Sequence, residues 1–242
     1  MQEQFSKKIR DLLDDIDKYE KKNILSAAAI IYDAMKQGKV FHVFATGHSH
    51  MVGEEMLYRA GGLVQINPIL VPELMQHKGA VTSTKLERVS GIAFKIYNET
   101  DIRKDEPIMI VSNSGINPVP IEMAELASSN GHPVIVMTSM EMSKKVESRM
   151  LNKKHLYDFG DVVIDNHTPS GDGVIMTSYG QTGASSSVTS LYIVQKIILK
   201  VIELYINDGL VPPIYMSANI EGGDLHNKAL YEQYSKRIKP LN

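Results

Sequence analysis

Five short apolar runs punctuate the chain: VFHVFAT at 40–46, LVQINPIL at 63–70, PIMIV at 107–111, PVIVMTS at 133–139 and DVVIDNH at 161–167. Each is too short for a buried helix and is bounded by turn or helical sequence, so each reads as a strand buried on both faces. The segments between them carry the complementary signature. MVGEEMLYRA at 51–60 is helical and runs into Gly61 and Gly62. Asn117 and Pro118 open another helix with a side-chain cap and a proline at its first position, and Gly131 ends it. Strand, turn, helix, glycine, strand is the βαβ plan, and its repetition requires parallel strands with helices on both sides. The expected fold is α/β, a five-stranded doubly wound parallel sheet.

The flanks fit around that sheet. Phe5, Ile9, Leu12, Leu13 and Ile16 recur at steps of three and four, and an Ala-rich stretch follows at 27–29, so two N-terminal helices are expected with a break near Asn23. Residues 185–206 form the longest helical pattern, with Leu191, Val194, Ile198, Val201 and Tyr205 on one stripe and more apolar residues beside it, which suits a central helix or one shared with a second subunit. One helical pattern, Lys85 to Tyr97, interrupts the polar connection at 71–105, and 211–242 leave the sheet pattern. The 242 residues therefore divide into an N-terminal helical layer at 1–38, a sheet domain at 39–210 and a tail at 211–242 available for dimer contacts.

Composition removes several function classes. Lys and Arg total 26 against 28 Asp and Glu with no basic cluster, which argues against nucleic acid as a partner. No cysteine is present, so disulfides, zinc thiolates and thiol nucleophiles are excluded. The first 22 residues are charged throughout, and no run approaches the roughly 18 apolar residues of a membrane span. A soluble, cytoplasmic protein with no membrane partner is expected.

Ligands of a doubly wound sheet bind beyond the carboxyl ends of the strands. Two loops there are unusually polar. The first, Ala45 to His50, joins a permissive glycine to hydroxyl donors and reads as either an anion site or a capped helix start. It lacks the G-x-G-x-x-G spacing, the acidic ribose partner and the Walker lysine, so no nucleotide cofactor is implied. The second runs Ser112-Asn113-Ser114-Gly115-Ile116-Asn117. Asn117 is explained as a helix cap, but capping does not account for Ser112, Asn113 and Ser114, three small polar groups leaving a buried strand. Pro118 and Pro120 remove N–H groups from the helix start, so an anion here depends on serine hydroxyls and on loop N–H groups around Ser114 to Asn117.

S-N-S-G-I-N after a strand, paired with the earlier T-G-H-S turn, resembles the sugar isomerase (SIS) domain of phosphosugar isomerases and phosphosugar-binding regulators. The likeness spans about residues 39–210; in the first motif Ala45 stands where that family carries a glycine. The resemblance implies a flavodoxin-like sheet and a sugar phosphate held by Ser49, Ser112, Ser114 and Asn117. Within the family the chain looks most like small bacterial proteins related to phosphoheptose isomerase, and its tail, SANIEGGDLHNKALYEQY, resembles that of a bacterial subgroup of these.

An isomerase of this kind needs a base, an acid and polar groups around an enediolate. Glu54 and Glu55 are adjacent and face different sides of one helix, so only one can enter the site; by resemblance Glu55 lies near a helix-borne acid-base or metal ligand of phosphoheptose isomerases and is the expected base. His48 and His50 sit at the same strand end, and His226, after Gly222 and Gly223 with Asp224 as the expected cap, could reach a neighbouring subunit's cleft. His226 or His48 is the expected acid. Asn113 and the run Ser185, Ser186, Ser187 are expected to meet sugar hydroxyls, as are Asp165, Asn166, His167 and Asp172 at the last strand end. No metal is expected: zinc-dependent phosphoheptose isomerases add Gln and His ligands from the late helix, where this chain has Gln195 and Lys196 and no histidine. The sequence thus predicts a phosphosugar isomerase assembled as a homodimer or homotetramer through its N-terminal and late helices. A non-catalytic phosphosugar sensor and a lyase or etherase working through a similar enolate stand as alternatives.

Overall fold

β1 (Phe41–Ala45), β2 (Ile66–Ile69), β3 (Ile108–Val111), β4 (Val134–Thr138) and β5 (Val162–Asp165) form one sheet in the order β2-β1-β3-β4-β5, every pair parallel. The computed structural model describes residues 1–241. The strands are predominantly apolar because both faces are covered. Phe41, Val43, Met109, Val111, Ile135 and Met137 enter one core, while Phe44, Ile108, Ile110, Val134 and Val136, alternating with them along the strands, enter the other. With β1 paired to β3 from His42↔Ile108 to Ala45↔Val111, the chain reverses its winding direction between these two strands. The loops that follow them diverge there.

The helices are α1 (Gln2–Tyr19), α2 (Lys21–Met35), α3 (Met51–Met56), α4 (Ala80–Leu86), α5 (Ile92–Asn98), α6 (Pro118–Ser129), α7 (Met140–Lys145), α8 (Ser186–Asn207) and α9 (Gly223–Tyr234). Residues of α2, α3 and α8 share the first core, with Ile16 of α1, and residues of α5 and α6 fill the second. The expected break in the N-terminal pair falls at Glu20 instead of Asn23. The Glu20 carboxylate accepts from Asn23 Nδ2 (2.8 Å) and from the Asp165 N–H (3.3 Å), which fixes the joint on β5. The helix expected from Lys85 to Tyr97 is two helices, because Gly91 adopts φ +89° and donates its N–H to Glu122 (2.8 Å).

Two elements escape the sequence pattern. An antiparallel hairpin, β6 (Gly173–Thr177) with β7 (Gly180–Ala184), stands outside the main sheet before α8. The tail does not leave the sheet layer altogether: Ile214 bridges to Leu63 just ahead of β2, and Tyr234 and Ile238 pack with Val40 and Val64 at the amino ends of β1 and β2. A buried polar tie holds this end. Glu106 accepts from the Val40 N–H (2.9 Å), the Arg103 N–H (2.8 Å) and Arg237 (2.7 and 2.8 Å), and pairs with His42 Nε2 (3.0 Å). Burial opposes the Glu106 charge, but the His42 and Arg237 bonds together with the two backbone donors hold its carboxyl well below the usual carboxylate range. Among the described residues no helix is long and apolar enough to cross a membrane.

Candidate functional site

The loop after β3 is shaped by Gly115. It adopts φ +63°, and a Cβ built there would lie 2.3 Å from Ser143 Oγ and 2.9 Å from Thr138 Oγ1. Those hydroxyls hold the loop: Ser143 Oγ donates to the Ser114 carbonyl (2.7 Å) and Thr138 Oγ1 to the Asn113 carbonyl (3.3 Å). The Gly115 N–H donates to Ser112 Oγ (3.2 Å). Among the described residues, the N–H groups of Asn113, Ser114, Ile116 and Asn117 and the Ser114 hydroxyl have no protein partner.

α6 adds few donors to this loop. Pro118 and Pro120 carry no N–H, and the N–H of Val119 between them is taken by the Glu87 carbonyl (3.2 Å). The next, from Ile121, turns to the Asn117 carbonyl (3.4 Å). Asn117 occupies the cap position as expected, yet its side chain makes no capping bond; Oδ1 instead accepts from Arg149 (2.6 Å). That leaves an arginine beside the loop.

This loop and the β1 loop face each other across a cleft of about 290 Å³ whose lining includes Thr46, Ser49, Glu87, Ser112, Ser114 and Asn117. All four residues predicted to hold phosphate therefore lie in one cleft. A small adjoining cavity is lined by Asn113, Asn166, Ser186 and Ser187, and His48 and Ser49 line both. Ser185 is fully buried behind them and donates to the Asp172 carbonyl (3.0 Å). The side chain that caps α8 is Asp172: Oδ1 accepts the N–H groups of Ser185 (2.9 Å) and Ser186 (2.7 Å), and Oδ2 accepts from Ser186 Oγ (2.8 Å). Ser187 keeps its hydroxyl free of any protein partner among the described residues.

The other candidates are placed elsewhere. Glu55 faces α8, where it pairs with Arg59 and accepts from Gln195 Nε2 (2.7 Å), and it lines neither cavity. His226 is exposed and bonds the Ile214 carbonyl (3.0 Å), on the tail packed at the amino ends of β1 and β2, opposite to the cleft. Asp224 is not its helix cap: Gly222, at φ +78°, holds that position and Asp224 lies in the first turn. His50 bonds the Gly47 carbonyl and stands 3.6 Å from Glu54, one helical turn on. Asp165 accepts the N–H groups of Met140 (3.0 Å) and His167 (2.9 Å), and Asn166 donates to Asn113 Oδ1 (2.9 Å). His167 pairs with Glu20 (3.3 Å), and that bond raises the imidazole above its ordinary value. Among the described residues no three His, Cys, Asp or Glu side chains gather as a metal site.

The sequence reading missed Glu87. Its carboxyl projects from the end of α4 into the cleft, where Thr46 Oγ1 donates to Oε2 (2.7 Å). Burial pushes this carboxyl above the ordinary carboxylate value, against the Thr46 bond and the charges of Arg88 and Arg149. Nothing local marks it, because the groups that hold it are Thr46, just after β1, and Val119 in α6.

Fold and cleft together define a class: a doubly wound 2-1-3-4-5 sheet with a hydroxyl-rich cleft at its switch point. Comparison with known proteins gives the family. The SIS domain model matches residues 4–139, and the chain belongs to the SIS domain family. A UPF0309 protein of Geobacillus thermodenitrificans is 39% identical over 243 residues, covering 100% of this chain and 98% of that one. A UPF0309 protein of Listeria innocua is 41% identical over 232 residues, covering 95% and 94%. Among solved structures, a phosphoheptose isomerase from Francisella tularensis shares the fold at TM-score 0.54 and 13% identity, covering 82% of this chain and 95% of that one. The Vibrio vulnificus NanR protein complexed with ManNAc-6P shares it at TM-score 0.50 and 16% identity, covering 98% and 69%.

Proposed function

We propose that the cleft binds the phosphate of a phosphosugar and that the protein interconverts aldose and ketose forms of that sugar through an enediolate. One observation carries this reading. Hydroxyls from two diverging loops, Ser49 after β1 and Ser112 and Ser114 after β3, converge on one cleft with the unpartnered N–H groups of the β3 loop. Neutral donors arranged around a point suit a phosphate, and Arg149 on Asn117 adds a positive charge beside it. Asn113, Ser186 and Ser187 in the adjoining cavity meet the sugar hydroxyls. His48, exposed and lining both cavities, serves as the acid that moves protons on the sugar oxygens. Glu55 and His226 are not needed for binding in this arrangement; His226 enters only from a second subunit. Solved proteins of the same fold named as a phosphoheptose isomerase and as a complex with ManNAc-6P support a sugar phosphate as the ligand class.

The protein is further proposed to work in the cytoplasm as a homodimer through α8, whose Val188, Leu199 and Ile206 are exposed along one side. The functional test is thermal shift against aldose, ketose and amino-sugar phosphates, followed by product analysis. A ligand at about 100 times its Kd stabilises by about 2.7 kcal/mol. A product of unchanged mass establishes the isomerase, loss of a sugar substituent a lyase, and binding without turnover a sensor. If no phosphosugar stabilises the protein and Ser112→Ala and Ser114→Ala leave ligand responses unchanged, the reading fails.

A further inference from the structure

Glu87 is the carboxylate of the cleft that no motif announces. It is the residue that ends α4, and its backbone is fixed on both sides: its N–H donates to the Ser83 carbonyl (3.0 Å) and its carbonyl accepts from Val119 (3.2 Å) in the first turn of α6. Ser83 is fixed in turn, donating its hydroxyl to the Leu74 carbonyl (2.7 Å). The side chain is held by Thr46, the residue that leaves β1 just ahead of the Ser49 turn. The residue that follows β1 and the helix that follows β3, the strands flanking the switch point, thus both help to place this one residue. Thr46 occupies Oε2, while Oε1 has no protein partner among the described residues. An acidic group in a site built for an anion works against binding unless the reaction uses it.

We propose that Glu87 is the catalytic base of this site, carrying a proton between adjacent carbons of the bound phosphosugar, with Thr46 as its positioning residue. This rests on the phosphosugar reading above and adds to it the group that performs the chemistry. In the aldose-to-ketose direction, Glu87 Oε1 takes the proton from C2. The C–H electron pair becomes the C1–C2 double bond, and the C1 carbonyl electrons move to O1, which takes up a proton. The O2 proton then leaves, O2 becomes the ketone oxygen, and the double-bond pair recovers the proton from Glu87 at C1. The proton gained at O1 balances that lost at O2, a transfer assigned to His48, and no oxidant or reductant is consumed. A group that alternates as base and acid works best with its pKa near the operating pH, and burial moves Glu87 in that direction. The charged and titratable groups around it are Arg88 beside it in sequence, Arg149 from the segment after α7, and His48 and Asp172 across the cleft.

The test uses the full chain in deuterated water with glucose 6-phosphate, fructose 6-phosphate, ribose 5-phosphate and glucosamine 6-phosphate as probes. Binding is read by thermal shift, and proton transfer by NMR as deuterium entering C1 or C2. Wild-type protein incorporates deuterium into at least one probe that stabilises it. Glu87→Gln, which keeps an oxygen for Thr46 to bond, retains that stabilisation and loses exchange by about 10²–10⁴-fold. Thr46→Val removes a donor that favours the ionised carboxyl, so the acidic limb of its exchange profile moves to higher pH, a change that a purely structural role leaves in place. The proposal is overturned if a probe binds and Glu87→Gln exchanges at the wild-type rate, if wild type binds without any exchange, or if Glu55→Gln alone abolishes exchange. If no probe shifts wild type, the phosphosugar reading itself falls and this proposal falls with it.

Discussion

Gly115→Ala puts the architecture of the loop after β3 to a quantitative test. The residue sits at φ +63°, a region that costs an L-residue about 1–2 kcal/mol. The new methyl would also lie 2.3 Å from Ser143 Oγ. Ser143 must rotate away and give up its 2.7 Å bond to the Ser114 carbonyl, a further loss of about 1 kcal/mol, and Thr138 Oγ1 at 2.9 Å leaves no other direction open. The sum is about 2–3 kcal/mol, and at about 2–4 °C per kcal/mol for a chain of this size the melting temperature falls by about 4–12 °C. Scanning calorimetry measures this, with phosphosugar thermal shift as the second readout. Gly115→Ala combined with Ser143→Ala relieves the contact but not the backbone strain, so the double variant recovers part of the loss and a double-mutant cycle returns a coupling of about 1 kcal/mol. If Gly115→Ala melts within about 1 °C of wild type and keeps its ligand response, the loop is not fixed as described and the reasoning fails.

Arg237→Ala leaves Glu106 buried without its countercharge and should cost about 3–5 kcal/mol in urea unfolding. Because the Glu106 pKa is depressed in the folded protein, its contribution is complete above the unfolded value of about 4.3 and declines as pH falls below that value; the acid limb of stability should flatten in Glu106→Gln. His167 behaves oppositely: its pKa is raised by Glu20, so its stabilisation is present below about 6.5 and lost as pH rises through the raised value, a decline that His167→Gln should lack. Tyr215 buries a hydroxyl with no hydrogen-bond partner among the described residues, so Tyr215→Phe should raise the melting temperature by about 2–4 °C. Light scattering should find a dimer, and Leu199→Glu on the exposed side of α8 should yield monomers; a wild-type monomer refutes the proposed assembly.

The sheet was legible because strands covered on both faces appear as unbroken apolar runs, and β1, β3, β4 and β5 each lie within one of them. That the four phosphate candidates would share one cleft was legible because two short motifs hold them, each contiguous along the chain. The rest depends on partners distant in sequence. The hairpin of β6 and β7 contains GQTGA, which has little strand character, and its residue pairing with β6 comes from tertiary context. The α8 cap could not be read either, because it is Asp172, brought back by that hairpin to accept the N–H groups of Ser185 and Ser186. Glu87 looked like one more charge in a polar connection, since its burial requires Thr46, 41 residues earlier, and the start of α6. Arg149 gave no signal because its acceptor is 32 residues upstream.

The tie at Glu106 also has a consequence for synthesis. Its guanidinium partner is 131 residues further along the chain, so every strand of the sheet leaves the ribosome before Arg237 does. Until then the Glu106 carboxylate, where the strands begin, has His42 and two backbone donors but no guanidinium. Arrival of the arginine therefore completes the polar tie at the amino edge only after all five strands have been made.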